Sequence, residues 1–107
     1  YLYDPLNISV LRFLKQIVVI ARDADKPLSI CGEIAGEPIY TMLLLGLGFR
    51  HFSMSSASMN QIKRIIRAVR IEDCNRLADE LLSMEKAADI ERRLMEVTAR
   101  EFPWLTL

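Results

Sequence analysis

Two short alternating runs constrain this chain more than any other feature. Leu28-Ser29-Ile30-Cys31 and Phe52-Ser53-Met54-Ser55 each alternate a large apolar residue with a small polar or thiol-bearing one. That is the period of an extended strand with unlike faces. Gly32 breaks the first run, Gly36 marks a loop, and Pro38 opens a helix over Ile39–Leu47 that Gly46 and Gly48 terminate. A helix between two strands predicts a parallel pair joined by a crossover. In a barrel of such strands, large apolar residues face the surrounding helices, and chemistry sits at the strands' C-terminal ends. Cys31, closing the first run, and Ser55, closing the second, would both stand there.

The rest of the chain reads as helix. Asp4, Pro5 and Asn7 form a turn-like opening, with Asn7 placed to cap the first helix. From Ile8 to about Asp25, Leu11, Leu14, Val18 and Ala21 recur at helical spacing, Val10 and Ile17 widen the stripe, and Lys26-Pro27 ends it. A serine-rich loop leads into a helix over Met59 to about Val69, with Met59, Ile62, Ile65, Ile66 and Val69 on one face. Two more helices complete the chain, marked by Cys74, Leu77, Ala78, Leu81 and Leu82, then by Ile90, Leu94 and Val97. The expected fold is α/β, with about two parallel strands and five helices. Two strands are too few for a sheet core and need neighbours, which supports reading the chain as a fragment of a larger fold.

Size and charge narrow the function classes. With 107 residues the chain makes at most one small domain, and its 51% apolar content is that of a globular protein. Lys and Arg number 14, as do Asp and Glu, so no bulk field draws it to nucleic acid or anionic lipid. The longest apolar stretch, Met42–Leu47, is too short to span a bilayer. The chain opens on Tyr1 with no signal-like segment, which reads as a piece of a longer polypeptide. Two cysteines in unlike contexts point to a reducing compartment, with the cytoplasm as default.

Longer motifs add a resemblance. Ile30–Pro38, ICGEIAGEP, followed by Leu43–Ser55, LLLGLGFRHFSMS, is similar to the last strands of the barrel of enzyme I, the phosphoenolpyruvate–protein phosphotransferase of sugar and nitrogen phosphotransferase systems. The opening LYDPLNISVLRFLKQIV resembles the helix preceding those strands, and KRIIRAVRIEDCNRLADELL, Lys63–Leu82, resembles the terminal helices. The likeness covers nearly the whole chain and weakens from about Ser83. Pyruvate phosphate dikinase and phosphoenolpyruvate synthase also carry the Cys-Gly pair but usually lack the following Ala-Gly and the LLLGLG run. A helical interaction module with an incidental CGE motif is the reading from another class.

The resemblance implies that the chain is the C-terminal fragment of a (β/α)₈ barrel, with residues 1–70 the last β/α units of that phosphoenolpyruvate-utilising barrel and residues 71–107 a C-terminal helical extension. It implies transfer of the phosphoryl group of phosphoenolpyruvate to a histidine on a separate domain, with pyruvate released. It makes Cys31 the proton donor to enolpyruvate, with Gly32, Glu33, Ser53 and Ser55 near the substrate. Magnesium would be held by residues of earlier strands, with no metal ligand in this chain. The partners implied are a histidine phosphocarrier protein and a second copy in a homodimer, with no nucleic acid and no membrane. The fragment alone is expected to be inactive.

Elementary chemistry suits that role for Cys31. A general acid must carry its proton at working pH, and a thiol at a partly buried strand end with no adjacent Lys, Arg or His keeps it. Without the motif, a lone Cys is more often a small core residue, which is the reading for Cys74. Glu33 either touches metal or substrate or holds its loop, since one carboxylate is not a magnesium site. Ser53 and Ser55 either hydrogen-bond at the barrel mouth or satisfy local backbone. His51, where the family usually has an acidic residue, reads as a strand-edge residue rather than a phosphoryl acceptor. Lys63, Arg64, Arg67 and Arg70 fall on the outer face of their helix, a solvated surface. Phe102, Pro103 and Trp104 anchor the tail to the barrel or to a partner.

Overall fold

A computed structural model of the chain describes residues 7–105; Asp4 and Pro5 of the expected opening turn lie outside them. Helix α1 spans Ile8–Asp23, and the Asn7 side chain accepts the Ser9 N–H at 2.8 Å, as an N-cap should. Strand β1, Ser29–Cys31, leads into a short helix α2, Glu33–Gly36, a 3₁₀ turn at Pro38–Tyr40, and helix α3, Thr41–Leu47. Strand β2, His51–Ser53, pairs with β1 in parallel, Ile30 opposite Phe52 and Cys31 opposite Ser53. Three helices close the chain: α4, Ser56–Ala68; α5, Ile71–Leu82; α6, Ala87–Glu101.

The core forms around α3. Its sequence TMLLLGL has no charged residue and all seven positions are buried, as expected of a helix apolar on every side. It packs most extensively against α5, and Gly46 makes that approach possible. A Cβ there would lie 2.1 Å from the Cys74 carbonyl oxygen and 2.8 Å from Ala78 Cβ. Cys74, Leu77, Ala78 and Leu81 of α5 meet Ile90, Leu94 and Val97 of α6 in the same apolar cluster, together with Leu11 and Val18 of α1. Arg12 donates to the Leu82 carbonyl at 3.4 Å, tethering α1 to the end of α5.

The parallel pairing and the facing of the strands follow the alternation. Ile30 is buried while Ser29 and Cys31 are exposed, and Phe52 is half-buried between exposed His51 and Ser53. Several boundaries differ from expectation. Among the described residues the α-helices number six rather than five, because Glu33–Gly36 coils into one turn, too short for any periodicity to reveal. The strands hold only Ser29–Cys31 and His51–Ser53, so Ser55 lies past the end of β2. The serine-rich loop is the first turn of α4, and Met59 and Ile66 of that helix are exposed, leaving Ile62 and Ile65 as its buried residues.

Candidate functional site

The C-terminal ends of β1 and β2 lie side by side, and the residues beyond them wall a cleft of about 480 Å³. Gly32, Glu33, Gly36 and Glu37 form one side; Ser53, Met54, Ser55 and Ser58 form the other. Four expected site residues, Gly32, Glu33, Ser53 and Ser55, are therefore brought together. Cys31 stands at the rim, covalently next to Gly32 and in register with Ser53, and does not itself line the cleft. Its side is exposed rather than partly buried, because alternation turns it away from the face that buries Ile30.

Local backbone explains how Cys31 and Glu33 are aimed. Gly32 adopts φ 82° and ψ −158°, a region essentially reserved for glycine. A Cβ at Gly32 would meet nothing within 4 Å, so the requirement is conformational rather than one of space. That kink ends β1 and starts α2, putting Glu33 in its first turn, while Ile34 and Ala35 bury themselves as anchors. On the opposite wall, Ser55 takes the extended conformation of an N-cap, yet its hydroxyl lies 3.5 Å from that of Ser58 rather than capping a backbone N–H.

The cleft is acidic and hydroxylic. Among the described residues, Glu33 and Glu37 are its charged ones, and no Lys, Arg or His lines it. Two carboxylates fall short of the oxygen shell that magnesium takes, and no group of three metal-ligating side chains occurs among the described residues. The described residues of this chain do not by themselves fit a metal. Sequence reasoning misses Gly36, Glu37, Met54 and Ser58; the Gly36–Ser58 proximity, 3.2 Å from a Cβ at Gly36 to Ser58 Oγ, joins residues too far apart for any local pattern.

The remaining singled-out residues stand elsewhere. His51 opens β2 opposite Ser29, at the far end from Cys31. Cys74 is fully buried, and burial, seconded by the Asp73 carboxylate, pushes its thiol up to about 11. A second cleft, of about 310 Å³, lies between α5 and α6. Its charges are satisfied by one another: Arg76 with Asp73, and Arg93 with Glu80 at 2.7 Å. The hydrogen bond from Arg93 to Glu80 raises the guanidinium's affinity for its proton.

Residues 1–71 match the family described as PEP-utilising enzyme, PEP-binding domain. This chain belongs to that family. The matched span holds every residue of the strand-end cleft and stops at the start of α5. Among curated relatives of this PEP-binding domain, the phosphoenolpyruvate-protein phosphotransferase of Haemophilus influenzae is 41% identical over 96 residues, 90% of this chain and 17% of the relative. That of Mycoplasma pneumoniae is 38% identical over 92 residues, 86% of this chain and 16% of the relative. Multiphosphoryl transfer protein 1 of Escherichia coli is 41% identical over 100 residues, 94% of this chain and 12% of the relative. The chain thus spans about a sixth or less of the length of these relatives. Among the described residues, no helix is long and apolar enough to cross a membrane.

Proposed function

We propose that this chain is the C-terminal part of the phosphoenolpyruvate-binding barrel of a phosphoenolpyruvate–protein phosphotransferase, and that Cys31 is its proton donor. The observation that carries the reading is an exposed thiol at the C-terminal end of a parallel strand, followed by a glycine-only kink that opens onto a cleft. Barrels of parallel strands keep their chemistry at that end. The relatives' names support the phosphotransferase over the dikinase and synthase readings.

When the phosphoryl group leaves phosphoenolpyruvate for a protein histidine, the electron pair of the broken P–O bond stays on the enolate oxygen. The double bond to the methylene carbon then takes the proton from the Cys31 thiol, forming the methyl of pyruvate. The sulfur is left as a thiolate, which regains a proton from water. Gly32 and Glu33 set the direction of approach, and Ser53 and Ser55 offer hydroxyls to the substrate from the facing wall. A trianionic substrate needs positive charge that this acidic cleft does not offer, so the cations belong to other parts of a longer protein. Magnesium, the histidine phosphocarrier partner, a homodimeric state and a cytoplasmic location are part of the same proposal, and the chain alone is inactive in it.

In the full polypeptide that carries this chain, Cys31→Ala should lower pyruvate formation from phosphoenolpyruvate by roughly 10²–10⁴-fold, the usual contribution of a positioned general acid. Deuterium uptake from solvent into the pyruvate methyl group should fall in parallel. A Cys31→Ala protein with full turnover refutes the role.

A further inference from the structure

The C-terminal tail, which lies beyond the matched family span, reaches back to the rear of the strand-end cleft. Phe102 is 2% exposed, and its N–H donates to the Thr98 carbonyl at 2.8 Å; the Leu105 N–H donates to the Phe102 carbonyl at 3.0 Å. That turn swings Trp104 edge-on to Phe102, ring centroids 6.0 Å apart, and sets its face under the Arg64 guanidinium of α4 at 3.9 Å. The basic run is therefore not one solvated helix face: Arg64 is stacked, and Arg70 lies beyond α4 as the N-cap residue of α5. Leu105 then borders a third cleft, of about 480 Å³, whose other walls include Gly36, Glu37 and Ser58. Those three residues also line the strand-end cleft. The two clefts therefore share these residues as a common wall.

The first turn of α4 sends no side chain into the core. No residue from Ser55 to Gln61 is buried; Ile62 and Ile65 are the buried residues of the helix, which also contacts α2, α3 and the 3₁₀ turn. Arg64 lies six residues beyond Ser58 on the same helix, about 9 Å along its axis. Phe102, fixed in the core, thus holds Trp104, which holds Arg64, and the helix transmits that restraint to the wall bearing Ser55 and Ser58. On the other side, α6 packs against the 3₁₀ turn just after Glu37. The tail and the helix leading into it therefore contact elements that adjoin both walls.

We propose that Phe102, Trp104 and Arg64 are positioning residues for the strand-end cleft, a C-terminal brace that sets the spacing between its Gly36–Glu37 and Ser55–Ser58 walls. Its consequence for turnover rests on the reading of that cleft as the phosphoenolpyruvate site; the bracing itself does not. Arg64→Ala removes the stacking from an exposed position without opening the core, and Arg64→Lys keeps a cation over the ring. In this chain, hydrogen exchange followed by mass spectrometry should show residues 32–37 and 55–60 exchanging roughly two- to five-fold faster in Arg64→Ala, the range of an exposed cation–π contact. Exchange over α5 should be unchanged, and Arg64→Lys should restore the wild-type rate. In the full polypeptide, Arg64→Ala should lower kcat by a similar factor with the KM for phosphoenolpyruvate nearly unmoved, and Arg64→Lys should recover it. Wild-type exchange in Arg64→Ala, or acceleration spread evenly over the chain, overturns the brace. Local acceleration with unchanged kcat overturns its role in positioning. Full activity of Cys31→Ala sinks the chemical reading and leaves the exchange result to judge the brace by itself.

Discussion

Gly32 carries the most information of any single residue because its backbone angles, rather than its surroundings, demand glycine. Replacing it with Ala places a Cβ in open space but in a backbone region that costs about 1–3 kcal/mol. We therefore expect Gly32→Ala to lose stability of that size in urea unfolding; a change below about 0.3 kcal/mol would show that the kink relaxes freely. Cys74 offers a pH test. Its folded thiol is raised from 9.0 to about 11 by burial first, with Asp73 adding and Arg50 opposing. The native state then holds a proton that the unfolded chain releases above pH 9, so stability is full below that value and falls as pH rises toward 11. The loss should be on the order of 2 kcal/mol. It should be read as a difference between the wild type and Cys74→Ala across pH 8–11, and parallel curves would sink it. At this scale the sequence is a fair guide to Cys74, which the apolar stripe places in the core, as found. Exposure of Cys31 is the point it cannot supply, since that depends on which elements cover a strand end.

Among the elements, α3 and α4 make opposite cases. The uncharged TMLLLGL segment announces its own burial, and the structure encloses all of it. Its contact with α5 depends on Gly46, so Gly46→Ala should force the helices apart and cost about 3 kcal/mol, the upper part of the usual overpacking range. Thermal unfolding would show it as a clear fall in Tm; a loss under about 1 kcal/mol would mean that α3 and α5 slide at no expense. Helix α4 is legible only in its middle. Its start at Ser56 reads as loop because three serines and an alanine bear no periodic signal. Its stripe reads too wide because Met59 and Ile66 are apolar yet uncovered. Apolar spacing tells which side of a helix can be buried, and a neighbour decides how much of it is.

The whole molecule leaves apolar and polar groups without partners among its described residues. The sheet has two strands, so each keeps an open edge, an invitation to pairing between chains. On α1, Phe13 is 60% exposed and Ile20 66% exposed, one above the other at helical spacing. We expect concentration-dependent self-association, seen as a rising mass in light scattering, and a shift toward monomer when Phe13 and Ile20 are both changed to Lys. A monomer mass throughout a wide dilution series would contradict it. By itself the sequence determined the strand–helix–strand order, the parallel pairing, the two faces of each strand and the motif that marks the family. All of these are local, because a period of two or of 3.6 is written within a few neighbouring residues. Only the tertiary structure decided that Gly36 meets Ser58, that Arg64 stacks on Trp104, and that Cys31 stands at the rim of the cleft rather than within it. Such contacts join residues far apart in the chain, and their distances depend on how α3 buries itself and which elements then pack around it.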